Sequence, residues 1–329
     1  MEHTFIEILR RALDEELARD DAVHLLGEDV AAGGAFGVTK GLAQKFGEKR
    51  VRNTPISEAA ITGLATGAAL CGLKPILEVM FIDFSTLAMD CLVNQTAKYR
   101  YMSGGQLSVP LVVRTQSGAA GGAAAQHSQS LEAWFVHVPG LVVVAPSTPA
   151  EAYGLLKSAV RLGEPVLFIE HKRLYTMREQ LEENAPLPAI GQARIARSGT
   201  DLTLIAYSAM VQTALAAAEE LTHSGVSVEV IDLRTLLPLD MTSIARSVSK
   251  THRVLIAHEA VLNGGFGAEI AARIGTELFD ELDAPILRVG CPFSPIPFAP
   301  ELEQALLPGS AALVQAAHEL LGIGALAAG

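Results

Sequence analysis

The chain has 329 residues, too many for a single small core and suited to two domains of ordinary size. Half of it is hydrophobic, 19% is charged and the net charge is −11, which excludes a nucleic-acid backbone as the main ligand. Apolar runs are broken by Gly, Pro or charge before reaching membrane-spanning length, and Cys71, Cys91 and Cys291 have no metal-type spacing. The amphipathic, acidic start is unlike a signal peptide, so the expectation is a cytoplasmic protein with buried or half-buried thiols.

In chain order, Phe5, Ile8, Leu9, Ala12, Leu13 and Leu17 share one face and predict a helix over 4–19. A strand VHLLGEDV follows, then the loop AAGGAFG and a helix over VTKGLAQKFG closed by Gly47. RVRNTPIS reads as a short strand leading to a helix over 58–71 that Gly72 ends. KPILEVMF is a strand, and DFSTLAMDCLVNQTAKYRYMSG is expected to be one long helix. The strand VPLVVRTQ feeds the loop SGAAGGAAAQHSQ; helix SLEAWFVHV, strand LVVVAPS, helix 149–162 and strand PVLFIEHK complete the first half. After a charged, Pro-containing stretch the alternation resumes: strand DLTLIAYS, helix 210–224, strand VSVEVIDL, helix 240–249, strand RVLIAHEA, helix 267–279 and strand APILRVG. An irregular CPFSPIPFAPELE leads to a final helix over 300–321.

Continuous apolar strands alternating with helices belong to parallel sheets covered on both faces, so the fold class is α/β with two doubly wound domains. The expected division is 1–180, a linker at 181–194, and 195–329. Function in such sheets collects beyond the carboxyl ends of the strands. Two residues there draw the eye. Glu58 opens a helix almost without polar groups, where a cap is the ordinary reading of a lone acid, yet desolvation would raise its pKa and suit it to proton exchange. His127 closes a loop of Gly and Ala that can approach a ligand closely and order on binding it. NGGFGAE at 263–269 lacks the GxGxxG spacing and no Walker lysine motif is present, so both Gly-rich turns read as plain turns. Phe81 and Phe84 are core residues by default and an aromatic platform in the sharper reading.

The segments TPISEAAITGLATGAALCGLKPILEVMFIDF, NQTAKYRYMSGG and AAAQHSQSLEAWFVHVPGLVVVAPSTPAEAYGLLKSAVR resemble the beta subunits of thiamine diphosphate-dependent 2-oxo acid dehydrogenases, a group that includes pyruvate, branched-chain and acetoin enzymes. The likeness runs on to FGAEIAARI and PIPFAPELE. It implies a transketolase-like pyrimidine-binding domain followed by a transketolase C-terminal-type domain. It also implies that Glu58 bonds a ring nitrogen of the cofactor's aminopyrimidine and promotes the imino tautomer. By the same resemblance His127 assists substrate protonation and acyl transfer to lipoate, Phe84 packs on the pyrimidine, Glu28 lies near the cofactor and Ile56 lines the pocket.

No GDG motif occurs in the chain. The resemblance therefore implies a separate alpha subunit holding Mg2+ and the diphosphate, an alpha-two beta-two assembly with beta–beta contact, and a lipoyl-bearing acyltransferase as downstream partner. In some relatives K+ is held by backbone carbonyls, here at positions matching Leu111, Ala159, Leu162 and Glu164. Leu87 and CPFSPIP depart from the pyruvate-enzyme pattern, and MFIDF leans towards the acetoin type. Two alternatives stay open: half of a split transketolase-like carboligase, in which Glu58 would also serve, and a non-catalytic scaffold subunit.

Overall fold

A computed structural model of the chain describes residues 2–182 and 185–323, which form two compact units. The first comprises residues up to Ser117, Trp134–Ile190 and Leu236–Pro238; the second comprises Gly118–Ala133, Gly191–Thr235 and the chain from Leu239. Positions 183–184 of the expected linker lie outside the described residues.

The elements alternate as the hydrophobic pattern requires. β1 (His3–Thr4), α1 (Phe5–Arg19), β2 (Val23–Gly27), α2 (Leu42–Phe46), β3 (Val51–Asn53), α3 (Glu58–Leu70) and β4 (Lys74–Val79) come first. A 3-10 segment (Ile82–Ala88), a π-helical segment (Asp90–Thr96) and α4 (Tyr99–Met102) precede β5 (Val112–Ser117), α5 (Glu132–Val136), β6 (Val142–Val144), α6 (Pro149–Leu162), β7 (Val166–His171) and β8 (Arg178–Glu179). Next come β9 (Arg194–Arg197), β10 (Leu202–Ala206), α7 (Met210–Thr222), β11 (Val228–Asp232), β12 (Thr235–Leu237) and α8 (Met241–Thr251). β13 (Val254–Val261), α9 (Phe266–Glu277), β14 (Leu287–Cys291), α10 (Pro300–Leu306) and α11 (Ser310–Leu321) complete the chain.

Among the described residues the first sheet has the order β12-β6-β7-β5-β4-β2-β3, and the pairings from β6 to β3 are parallel. The second has the order β14-β13-β10-β11-β9, parallel except where β9 runs against β11. Helix α1 starts at a capping box between Thr4 and Glu7 and buries all six apolar residues that predicted it. In the second unit Ala214, Ala217 and Ala218 of α7 are buried with Leu313 and Ala317 of α11, small side chains that let two helices share one face of the sheet.

Four expected helices are shorter or broken, the one over 130–138 keeping only α5. The long helix over 83–104 is a chain of tight and wide turns, because Ser85 Oγ bonds the Ile82 carbonyl at 2.5 Å and Thr86 Oγ1 the Asp83 carbonyl at 2.8 Å, diverting regular helical acceptors. The helix over 38–47 begins only after Gly41, whose φ of +86° no helix interior accommodates. The helix over 300–321 divides at Pro308 and Gly309 into α10 and α11. Of the thiols, Cys71 is exposed rather than buried, since it caps the end of α3. Sequence reading also missed β9 and β12, whose short mixed patterns carry no alternation.

Charged residues set inside three apolar strand sequences meet in the first core. Glu78 on β4 stands opposite Arg114 on β5, and β7 brings Glu170 from the other side. Arg114 is fully buried; it donates to Glu78 at 2.6 Å and to both Glu170 oxygens at 2.7 and 2.9 Å, while Tyr175 donates to Glu170 at 2.6 Å. Burial pushes the Glu78 carboxyl up in spite of the guanidinium. Arg114→Met would strand two buried carboxylates and is expected to destabilise the first unit by about 3–5 kcal/mol, read as a fall in urea midpoint.

Candidate functional site

Three neighbouring strands end together and deliver the candidate residues. Gly27, the last residue of β2, pairs with Asn53 at the end of β3 and with Glu78 near the end of β4. The chain leaves these ends at Glu28, at the stretch 54–58, and at Phe81–Phe84. Parallel register alone therefore brings Glu28, Glu58, Ile56 and Phe84 to one end of one sheet. A glycine is required at position 27, because φ is +154° and a Cβ would lie 2.8 Å from the Glu78 carbonyl oxygen.

The loop after Glu28 is pinned. The Asp29 carbonyl accepts from the amides of Ala32, Gly33 and Gly34 at 2.9–3.1 Å, Ala31 donates to Asn53 Oδ1 at 2.7 Å, and Thr39 Oγ1 donates to the Val30 carbonyl at 2.7 Å. A Cβ on Gly34 would come within 2.7 Å of Glu78 Oε1, so this loop lies directly on the buried ionic cluster.

Glu58 is the first residue of α3, where free amide ends and the helix dipole favour a carboxylate. It is only 7% exposed, yet among the described residues no hydrogen bond or ion pair reaches its side chain. What does face it is another acid. Burial first, then the charges of Glu58 and Asp29, raise the Glu28 carboxyl above the ordinary glutamate range. Ile56 is 82% exposed and Phe84 half-buried, with the Phe84 ring centroid 6.4 Å from that of Phe81. Phe81 in turn meets Phe36 edge-on at 5.7 Å and carries the Lys172 ammonium 5.0 Å from its centre. The result is two carboxylates of like charge beside aromatic and aliphatic surface, an arrangement that can share a proton with a polar heterocycle and pack against its faces.

His127 belongs to the second unit: it is half-buried on the loop 118–133, with its amide 3.5 Å from the Ala124 carbonyl. Sequence reading saw this loop as free to order on a ligand, whereas Ala119, Gly121 and Gly122 donate their amides to Glu259 and Glu303. Those two acids were missed, although Glu259 inside the apolar run RVLIAHEA was a usable signal. His258 beside it is fully buried, with Nδ1 3.0 Å from the Ala260 carbonyl, and burial holds its pKa down at about 4. Of the four positions named for a carbonyl-held cation, Leu111 and Ala159 are buried, Leu162 is 39% exposed and the Glu164 carboxylate pairs with Arg100. The Leu111 carbonyl accepts from Val166 at 2.9 Å. Among the described residues no group of three or more His, Cys, Asp or Glu is placed to hold a metal.

The comparisons with known proteins agree with this architecture. Residues 2–178 match the transketolase pyrimidine binding domain and 191–313 the transketolase C-terminal domain. In structure the chain resembles a split-gene transketolase, described as an inactive beta4 tetramer, with a TM-score of 0.79, 22% identity and coverage of 97% of this chain and 98% of that one. This is a transketolase-type chain of two α/β domains.

Its nearer relatives narrow the family. It is 43% identical over 324 residues to the beta subunit of an acetoin:2,6-dichlorophenolindophenol oxidoreductase from Cupriavidus necator, covering 95% of this chain and 96% of that one. The Bacillus subtilis beta subunit of the same name is 44% identical over 97% of each chain, and the rice mitochondrial pyruvate dehydrogenase E1 component subunit beta-2 is 46% identical over 96% of this chain and 85% of that one. The chain belongs to the family of E1 beta subunits of pyruvate and acetoin dehydrogenases.

The raised Glu28 carboxyl has a thermodynamic consequence. The folded chain keeps a proton there that the unfolded chain has lost, so this group's contribution to stability falls as pH rises through and above the glutamate range. Glu28→Gln should therefore match the wild type below about pH 4 and become the more stable of the two as pH rises towards neutrality, in thermal melts of the cofactor-free chain. In Glu58→Gln the Glu28 titration should move down, as read by carboxyl 13C NMR.

Proposed function

We propose that this chain is the beta subunit of a thiamine diphosphate-dependent dehydrogenase component acting on a 2-oxo acid or acetoin, with acyl transfer to lipoate, and that it works only with an alpha subunit. One observation carries the reading: a largely buried glutamate at the start of α3 whose carboxylate has no protein donor among the described residues. A ring nitrogen of an aminopyrimidine would supply the missing donor, and the apolar surface of Phe84 and Ile56 suits the ring faces. The residues present fit that cofactor half.

When bound, thiamine diphosphate would supply the carbon nucleophile that attacks the substrate carbonyl. Glu58 would hold and exchange a proton at the pyrimidine nitrogen, a task open to a carboxylate that no protein donor among the described residues already occupies. Glu28, by repelling a second negative charge, would favour the shared-proton form of the pair. Phe84 and Ile56 would orient the ring and exclude water, and His127 would move protons during acyl transfer.

The alpha partner follows from what is bare and what is missing. Ala59, Ala60, Gly63, Leu64 and Gly67 leave one face of α3 exposed beside exposed Ile56 and Leu87, an apolar surface of the kind that subunits cover. With no GDG motif in the chain, Mg2+ and the diphosphate would be held on that alpha subunit in an alpha-two beta-two tetramer with beta–beta contact. A lipoyl-bearing acyltransferase would take the product, and K+ at the carbonyls of Leu111, Ala159, Leu162 and Glu164 remains part of the proposal. The domain division is taken as 1–180 and 195–329 with the linker between. No described helix is long and apolar enough to cross a membrane, and three free cysteines suit a reducing compartment such as the cytoplasm.

The test is coexpression with a GDG-bearing alpha chain and assay with thiamine diphosphate, Mg2+ and a dye acceptor against pyruvate, branched 2-oxo acids and acetoin. Turnover of one of these is expected, and Glu58→Gln should lower it by about a hundredfold or more without dissociating the complex. Equal turnover by the variant would sink the assignment, and ketol transfer without any electron acceptor would move it to the carboligase reading.

A further inference from the structure

The loop that carries His127 is tied to its own unit by acids rather than left to close on a ligand. Gly121 and Gly122 are consecutive residues at φ +75° and +82°, and their amides reach the two oxygens of one carboxylate, Glu303 on α10, at 2.8 and 3.0 Å. Successive amides in a turn can make a concave anion site, and glycine is the residue that takes positive φ at both positions without strain. Glu303 is 6% exposed, and a Cβ on Gly122 would sit 3.1 Å from the Phe298 carbonyl, so the loop and the segment before α10 lie in close contact. Glu259 of β13 accepts from the Ala119 amide at 2.7 Å, and Gly118 closes the loop on the Gln129 carbonyl at 3.0 Å. At the loop's far end, Glu132 accepts from the buried Tyr207 hydroxyl at 2.6 Å.

We propose that Glu303, together with Glu259, is a positioning residue: a carboxylate latch that fixes the Gly-rich loop so that His127 is presented in one place. The proposal builds on the reading of His127 as the group that serves acyl transfer. Charge-assisted bonds to backbone amides are stronger than neutral ones, and two of them share one planar acceptor, which sets orientation as well as distance. A glutamine of the same shape has only one oxygen and turns an NH2 towards the second amide, so the latch should open without a cavity forming. The catalytic consequence is one of geometry, where displacements near 1 Å can cost up to about a hundredfold in rate.

The experiment is amide hydrogen exchange and kinetics on the assembled alpha–beta complex, comparing wild type, Glu303→Gln and Glu259→Gln. In Glu303→Gln, exchange in peptides spanning 118–127 should speed by about tenfold or more while peptides from β10 and β11 keep wild-type protection. Transfer to a free lipoyl domain should fall by about tenfold relative to dye-coupled turnover, and restoring the carboxylate one methylene shorter, as Glu303→Asp, should recover part of it. Wild-type exchange in the loop of Glu303→Gln overturns the latch. Faster exchange with undiminished lipoyl transfer overturns the positioning role. If Glu303→Gln unfolds α10, Glu259→Gln carries the same expectation through Ala119. A wild-type complex with no lipoyl transfer refutes the functional reading instead, and the exchange data then judge the latch alone.

Discussion

A largely buried glutamate with no protein partner for its carboxylate among the described residues is costly to fold around, and the site of the first unit is organised about that constraint. Isolated buried charge costs several kcal/mol unless the group keeps a proton or gains a donor. The chain brings Glu58 to the start of α3, where the helix end favours a carboxylate, and sets it beside Glu28, whose carboxyl is raised by burial and then by the Glu58 charge. Such opposition has no structural benefit. Under the proposed function, a ligand nitrogen would complete the group, and the chain's place in the E1 beta family is consistent with that reading.

The second buried ionic cluster has the opposite character. Arg114 is satisfied on both sides by Glu78 and Glu170, and Tyr175 closes the set. Its two carboxylates outnumber its one guanidinium, but every bond is short and internal, so it serves as a keystone under the loop that bears Glu28. The contrast is informative. Paired charge in the core fixes backbone, whereas Glu58, at the same end of the sheet, has no such partner among the described residues.

Much of this was legible in the sequence, for definite reasons. Period and composition located α1, α6 and the apolar strands, because a face that must be buried writes itself into spacing. Glu58 stood out because its helix has almost nothing polar to share with it. Glu28 came only through the family resemblance, since no spacing marks it; the register of β2 and β3 shows the physical reason, placing both exits side by side. The broken helix after β4 was hidden because Ser85 and Thr86 compete for backbone acceptors through contacts that no periodicity encodes. Glu303 was beyond reach for a plainer reason, since its partners lie 181 and 182 residues away.

The order of the chain through its two units deserves one last remark. β12 is built from 235–237, well past the end of the first family domain, yet it edges the sheet of the first unit beside β6, while 118–133 leaves the first half of the sequence to join the second unit. Neither half is therefore self-sufficient. A polypeptide severed between the halves would bare the hydrogen-bonding rim of β6 and strip the other fragment of its histidine loop, inviting stray strand pairing in one and loss of Glu132 as the Tyr207 partner in the other.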